Sequence, residues 1–260
     1  MHFFLSPHFD DAALSCGGQI AQLTQRGEKV VVFTVMAGDP PVEFQHTPFT
    51  QELHKRWGLG NSPIEGRRLE DTIALRSLGA DVKFGPYPDA VYRVDGQGQP
   101  LYPESTSIFG PVHPDDPVRG AKRAAVIQTL LMLFSVSDQD YIHVPLAVGK
   151  HVDHVLVRDM GKALSQWRPN NPIFFYEDYP YTRQHGKNAV LESLADLDVR
   201  AMPVVHLVDA TAVEIKIAAI SCYKSQLSSF WENREAMGNE VRAYIKQMGG
   251  ELEWRLITEA

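Results

Sequence analysis

Two short clusters of histidine and aspartate carry the chemistry that this sequence suggests. One occupies residues 8–11 and the other, far downstream, occupies residues 151–154. Catalytic zinc is commonly held by three protein ligands, drawn from histidines and carboxylates, with a fourth position left open. His8, Asp11 and His154 supply such a set if the fold brings the two clusters together. The pattern therefore predicts one metal site shared by both clusters.

The other residues of the clusters are of the types needed for proton transfer. Asp10 adjoins a predicted ligand, and a carboxylate at that place could act as a general base. His151, one helical turn from His154, could protonate a leaving amine or stabilise an oxyanion, and Asp153 could orient a ring of this second cluster. Bound zinc polarises carbonyl oxygens and lowers the pKa of water to about 7. The predicted chemistry is amide hydrolysis near neutral pH.

A third stretch, residues 113–116, repeats the first pattern almost literally as His-Pro-Asp-Asp. It follows Gly110 and Pro111 instead of an apolar run, and its aspartates could cap a following helix. We therefore exclude it from the predicted metal site. Either main cluster alone would be weak evidence, because an aspartate at a helix start is more often a cap than a ligand. Both clusters at strand ends are much stronger evidence.

Apolar runs that alternate with helical patterns indicate the elements that position these clusters. The predicted strands cover residues 3–5, 29–35, 82–84, 141–144, 173–176 and 204–208. The predicted helices cover residues 12–26, 64–78, 121–134, 153–167 and 212–227. This order predicts an α/β fold, with a mainly parallel, doubly wound sheet in three layers, as a single domain over residues 1–260. Both clusters then follow strands, where ligands bind in such sheets.

Three long segments between these elements are predicted to be loops above the crevice. They cover residues 37–61, 87–119 and 177–187. Long loops in compact domains are usually either functional lids or disordered segments. The last of the three is rich in tyrosine, and its aromatic faces could pack against a sugar ring or simply within the protein.

Composition excludes several other classes of protein. A formal net charge of -7 and a pI near 5.8 argue against nucleic-acid binding, which depends on clustered Lys and Arg. No apolar stretch approaches the roughly 18 to 20 residues of a membrane span. Two cysteines are too few for a disulfide framework, which agrees with a reducing, cytoplasmic location. The formation of a homo-oligomer stays open.

Several motifs resemble those of one known family, the LmbE-like or PIG-L zinc deacetylases. They are the stretches 6–14 and 149–154 with Cys16-Gly17-Gly18, Arg67-Arg68-Leu69-Glu70, and Lys216 with Tyr223, Ser225 and Gln226. The resemblance extends over about residues 3 to 226. It implies a Rossmann-like fold and the removal of an acetyl group from an N-acetylated amino sugar, commonly an N-acetylglucosaminyl conjugate.

Position by position, the resemblance implies roles for the cluster residues. His8, Asp11 and His154 would bind Zn²⁺, Asp10 would be the general base, and His151 would assist at the transition state. Another divalent metal such as Fe²⁺ could occupy the same ligands in the cell, because availability decides as much as affinity. The partner implied is a small-molecule amino-sugar conjugate.

Arg67 and Asp89 fall where family members contact the sugar, although a surface salt bridge and a turn residue are nearly equal alternatives. Phe9 stands where the commonest family form has proline, a change that removes no ligand. Two further functions stay open, namely zinc hydrolysis of another amide or an ester, and noncatalytic sugar binding on the same fold. The presence of both Asp10 and His151, which metal binding does not require, disfavours the second.

Overall fold

The computed structural model describes residues 1–120, 127, 129 and 132–257. The described strands are β1 (His2–Ser6), β2 (Val30–Thr34), β3 (Asp81–Phe84), β4 (Tyr141–Pro145), β5 (Ile173–Tyr176), β6 (Ala201–His206) and β7 (Glu251–Leu256). They form one sheet in the order β3-β2-β1-β4-β5-β7-β6. The first five strands run parallel, whereas β7 is antiparallel to both of its neighbours.

Helices cover both faces of this sheet. Those described over their full length are α1 (Asp11–Gln25), α2 (Pro48–Trp57), α3 (Pro63–Ser77), α4 (Val152–Trp167), α5 (Tyr181–Leu197), α6 (Ala210–Ile220), α7 (Lys224–Phe230) and α8 (Arg234–Met248). Consecutive strand residues point to opposite faces. Phe4 therefore packs with α1, α3 and α6, while Leu5 packs with α4 and α5. The predicted α/β fold, three-layered and doubly wound, is confirmed.

The direction of strand succession reverses between β1 and β4, which are neighbours in the sheet. A crevice opens beyond the carboxyl ends of the strands at such a reversal, and ligands bind there in open α/β sheets. The two His/Asp clusters follow these two strands. The topology thus places them side by side although more than a hundred residues separate them in the chain.

Several predicted boundaries were wrong. The segment 37–61 contains α2, which Thr47 caps with its side chain and Gly58 ends in the left-handed conformation. The segment 177–187 contains the start of α5, and the helix predicted over 212–227 is broken into α6 and α7. The strand β7 was not predicted at all. Most of the helix predicted over 121–134 lies outside the described residues.

The segment 87–119 is irregular, as predicted, apart from two short 3-10 helices at Ala90–Tyr92 and Ser107–Phe109. It lies over the same edge of the sheet as the clusters, because the cavity there includes Asp89 and Phe109 in its lining. Among the described helices, none has the length and apolar content needed to cross a membrane.

Candidate active site

The backbone between each strand and the following helix places the cluster side chains. Asp11 is the first residue of α1, directly after the turn that leaves β1. His151 caps the N-terminus of α4, so that His154 lies in the first turn of that helix. Both helices therefore direct their N-termini, which carry positive partial charge, towards the carboxylates of the crevice.

Three ligand atoms come together at the bottom of this crevice. The Oδ2 atom of Asp11 lies 3.3 Å from His8 Nδ1 and 3.3 Å from His154 Nε2. Ligand atoms bound tetrahedrally to zinc at about 2.0 to 2.1 Å are separated from one another by roughly 3.3 to 3.4 Å. All three residues are buried, and His154 Nε2 has no hydrogen-bond partner among the described residues. The three atoms therefore fit a zinc-sized cation.

A second carboxylate sets the proton position on each histidine. His8 Nε2 donates to Asp153 Oδ2 over 2.8 Å, and His154 Nδ1 donates to Asp178 Oδ1 over 2.7 Å. A proton on the far nitrogen leaves a lone pair on the nitrogen that faces Asp11, as metal binding requires. Burial alone would lower the pKa of His154, yet the Asp11 and Asp178 carboxylates raise it to about 9. The position of His154 Nε2 therefore attracts cations.

Ring nitrogens of His8, His151 and His154 also lie within 4.8 Å of one another, which offers an alternative set of three histidines. The hydrogen bond of His151 argues against it. The Nδ1 atom of His151 accepts from the backbone N–H of Asp153 at 3.2 Å. In a neutral ring the proton then resides on Nε2, which has no lone pair left for a metal. His151 is better suited to donate a hydrogen bond than to be a ligand.

Atoms of His8, Asp89 and Asp153 form a second group of potential ligands within the same distance. Hydrogen bonds account for this group without a metal. Asp153 Oδ2 already accepts from His8 Nε2 and, over 2.9 Å, from the backbone N–H of Ala90. We therefore regard the set of His8, Asp11 and His154 as the one that fits a metal.

Asp10 and His151 both line a cavity of about 390 Å³ above the three ligand atoms. Burial and the neighbouring Asp11 carboxylate raise the pKa of Asp10 well above its ordinary value. Burial and the nearby rings of His8 and His154 lower the pKa of His151 well below its ordinary value. A carboxyl group with a raised affinity for a proton and a neutral imidazole thus face the same space.

Arg67 and Asp89 line this cavity too. The Arg67 guanidinium lies 5.2 Å from the centre of the Phe9 ring and 4.7 Å from that of Trp57. Its Nη1 atom is 3.6 Å from Asp89 Oδ2, while Asp89 Oδ1 accepts from the backbone of the first 3-10 helix. Arg67 is only 5% exposed, so its ion pair with Asp89 is buried and does not lie at the surface. The cation–π contacts with the two rings also hold the guanidinium in its orientation.

Sequence reasoning missed three buried residues of this region. Asp178 stands two residues after β5. The two clusters were located as polar residues that follow strands, and the same criterion could have found Asp178. Arg93 donates from Nη1 to both carboxylate oxygens of Asp116, over 3.0 and 2.8 Å, and its Nη2 contacts Asp153 Oδ1. Asp116 belongs to the stretch 113–116 and is connected to the site through Arg93.

Comparison with known proteins yields a consistent set of matches. The family model described as PIG-L, GlcNAc-PI de-N-acetylase, matches residues 3–165. A 2'-N-acetylparomamine deacetylase from Niallia circulans is 34% identical, over 96% of this chain and 89% of its own length. Another from Streptomyces fradiae is 29% identical over 85% and 72%, respectively. The zinc-inhibited form of a teicoplanin deacetylase has a similar fold, with a TM-score of 0.80, 24% identity and coverage of 99% and 98%.

Proposed function

The chain belongs to the PIG-L family of de-N-acetylases, and from this we propose a zinc enzyme that deacetylates an N-acetylglucosamine-type conjugate. The resemblance noted in the motifs is thereby confirmed, as is the class of enzyme: a metal-dependent hydrolase that removes acetyl groups from N-acetylated aminosugars. The site residues and the identity of the metal are our proposal. The observation that carries it is the position of Asp11 Oδ2, 3.3 Å from the free nitrogens of both His8 and His154.

A bound metal would supply a Lewis acid that polarises the acetyl carbonyl and makes water a stronger nucleophile. Asp10 takes the proton of the attacking water and passes it to the amide nitrogen, which leaves as a free amine together with acetate. His151 donates from Nε2–H to the carbonyl oxygen as negative charge develops there. Asp153 keeps His8 in the tautomer that binds the metal.

Arg67 and Asp89 would hold the sugar ring in this arrangement. Their polar ends reach the cavity, and packing between Phe9 and Trp57 immobilises the guanidinium before any substrate arrives. Groups fixed in advance lower the entropic cost of orienting a substrate. The names of the relatives favour an N-acetylated amino-sugar compound as substrate. We also infer a cytoplasmic location, because neither cysteine is in a disulfide.

The proposal is tested by measuring acetate and free amine released from N-acetylglucosaminyl conjugates by the zinc-loaded protein. We expect equal amounts of both products from the natural sequence. Asp10→Asn preserves shape and removes the base, so it should retain zinc and lose about 10² to 10⁴ in kcat. Acetate release from O-acetyl esters alone would contradict the proposed substrate class.

Zinc content tests the ligands independently of turnover. His8→Ala should abolish stoichiometric zinc, whereas His113→Ala should retain it, because His113 belongs to the stretch that we exclude from the site. The second variant is a matched control, since both residues begin a His-x-Asp-Asp stretch. Loss of zinc in His113→Ala with retention in His8→Ala would overturn the assignment.

A further inference from the structure

Four aromatic rings beside the candidate metal site form a closed circuit. The ring centres of His151 and His154 lie 5.5 Å apart, and that of Tyr181 lies 5.6 Å from that of His154. Phe109 completes the circuit, because its ring centre lies 6.1 Å from that of Tyr181 and 5.3 Å from that of His151. We call these four residues the aromatic box. The chemistry proposed above uses only its two histidines.

The rings of the aromatic box are held in place by one another and by the backbone. The planes of Phe109 and His151 meet at 89°, as do those of Tyr181 and His154, and aromatic pairs favour such edge-to-face contacts. A Cβ atom at Gly149 would lie only 3.2 Å from Cγ and Cδ1 of Tyr181. The backbone of Gly149 therefore packs against the Tyr181 ring, which cannot retreat in that direction.

The surface of the aromatic box consists mostly of ring carbons. His154 donates from Nδ1 to Asp178, and its Nε2 belongs to the proposed metal site. His151 Nδ1 accepts from the backbone of Asp153, so only its Nε2 is left for a substrate. Phe109 has no polar side-chain atom. Because neighbouring rings are in contact, the space between them is narrow and suits an apolar group about as large as a methyl group.

The two ends of a bound amide would face different walls of the cavity. The residues proposed to hold the sugar lie beside His8, which is not part of the box. Asp89 Oδ2 lies 3.8 Å from His8 Nε2 and 3.6 Å from Arg67 Nη1. The methyl group of the acetyl is bonded to the same carbon as the oxygen to which His151 donates in the proposed mechanism. That methyl group must therefore lie close to the His151 ring, which is one wall of the box.

We propose that the aromatic box is the acyl pocket of this protein, which accepts the methyl group of an acetyl and excludes longer acyl chains. Phe109 and Tyr181 are then residues that determine specificity for the acyl group. An added methylene would have to displace a ring that already contacts its neighbours, and such overpacking is unfavourable. This inference rests on the proposed function, because it concerns the acyl group of the same amide.

The test compares N-acetyl, N-propionyl and N-butyryl derivatives of one glucosaminyl conjugate, with the released amine as the readout. For the natural sequence we expect kcat/KM to fall by about tenfold or more from acetyl to propionyl, and further for butyryl. Phe109→Ala opens one wall of the box and should raise the ratio of butyryl to acetyl kcat/KM by about tenfold or more. Phe109 is 44% exposed, so its truncation should leave the fold intact.

Two controls separate the acyl pocket from the rest of the cavity. Phe230 lines the same cavity and its ring centre lies 6.5 Å from that of Tyr181, but it does not belong to the box. Phe230→Ala should therefore leave the butyryl-to-acetyl ratio unchanged. Tyr181→Phe keeps the ring and removes only the hydroxyl, so it should keep the ratio of the natural sequence. Zinc content and melting temperature show whether each variant retains the metal site.

The outcomes distinguish this inference from the proposed function. If none of the three derivatives releases amine, the proposed function fails and the inference fails with it. If the natural sequence cleaves the butyryl and acetyl derivatives equally well, the function holds and the acyl pocket is wrong. An acetyl preference that is unchanged in Phe109→Ala, or that Phe230→Ala relaxes to the same extent, would also overturn the assignment of the box.

Discussion

Asp10 has a backbone conformation that glycine adopts more readily than any residue with a side chain. Its φ is 114° and its ψ is -36°, immediately before the first residue of α1. Conformations of this kind cost of order 1 to 3 kcal/mol and persist where the surrounding structure enforces them, often at functional sites. Here the strained turn aims the carboxylate of Asp10 into the cavity while Asp11 faces the two histidines.

We therefore predict that Asp10→Gly makes the metal-free protein more stable while abolishing deacetylation. Glycine relieves the strain and removes a buried carboxylate, and the gain exceeds its own entropic cost, so the free energy of unfolding should rise by about 1 to 2 kcal/mol. Urea unfolding measures the effect. Asp10→Asn is the control, because it keeps a side chain in the strained turn. Equal stability of the two variants would mean that the turn stores no strain.

The sequence predicted which residues form the site but did not predict how their rings are oriented. The types of these residues and their positions after strands were enough to propose His8, Asp11 and His154 as ligands. The structure places the three residues next to one another. The sequence could not show which ring nitrogen faces the metal, because that depends on Asp153 and Asp178, which are distant in the chain from the rings they contact. Asp178 was missed since it lies in a tyrosine-rich stretch with no histidine next to it.

Among the elements, the long segment 87–119 is connected to the site through buried charged contacts. Arg93 is fully buried and bridges Asp116 of the same segment to Asp153 of α4. Tyr102 adds a hydrogen bond from its hydroxyl to Asp116 Oδ2 over 2.7 Å. The segment thus fixes the carboxylate that orients His8, although none of its residues is a ligand in our assignment.

Removing Asp116 should therefore affect both stability and metal binding. Asp116→Ala leaves the Arg93 charge buried with one partner fewer, so we expect the free energy of unfolding to fall by about 3 to 5 kcal/mol. Zinc affinity should fall by up to about tenfold, because Asp153 and then His8 lose their support. Urea unfolding and competition with a chelator measure the two effects.

The adjacent Asp115 provides the matched control for this prediction. Its side chain is exposed and lies 3.9 Å from the His113 ring, so Asp115→Ala should change neither quantity noticeably. The role assigned to the segment would be refuted if Asp116→Ala proved as stable as Asp115→Ala and bound zinc equally well.

Sequence patterns located the parallel strands and failed at β7 for a physical reason. Strands buried on both faces have continuous apolar runs, as in β2 and β5, and such runs are easily recognised. In β7 the buried positions belong to Glu251 and Glu253, while Trp254 is only partly buried. Hydrophobic periodicity cannot find a strand whose inward residues are charged. The two glutamates are buried because residues of other segments pair with them, and the sequence of one segment does not reveal such partners.

Across the whole molecule, these buried glutamates connect the antiparallel edge of the sheet to its parallel part. Glu253 of β7 accepts from His143 Nδ1 of β4 over 2.7 Å and lies 2.6 Å from His206 Nε2 of β6. His143 Nε2 in turn shares a 3.0 Å hydrogen bond with His2 Nδ1 of β1. One network therefore includes four of the seven described strands.

The charge of Glu253 makes the stability of this arrangement dependent on pH. Burial opposes ionisation, yet His143 and His206 hold the pKa of Glu253 at about 2, below its ordinary value of about 4.5. A depressed carboxyl pKa contributes stability that is fully present above the unfolded-state pKa and is lost as the pH falls through the folded-state pKa. The contribution is of order 3 kcal/mol, lost between about pH 4.5 and pH 2.

The contribution of His206 to stability depends on pH in the opposite direction. Burial lowers the pKa of His206, but the neighbouring Glu253 carboxylate has the larger effect and raises it. Its contribution is present below about pH 6.5 and is lost as the pH rises through the raised pKa. The two contributions overlap between roughly pH 4.5 and pH 6.5, where the network should stabilise the fold most. Both depend on the same ionised Glu253, so one substitution removes them together.

Glu253→Gln should therefore be less stable than the natural sequence at pH 5 to 6, by about 3 kcal/mol, and the difference should vanish near pH 2. Urea unfolding of the metal-free proteins across this range measures it, and taking differences cancels the titration of the active-site histidines. Glu43→Gln, at an exposed position, should show no such trend. A deficit that stayed constant down to pH 2 would reflect packing or hydrogen bonding alone, because only the ionised carboxylate makes the loss depend on pH.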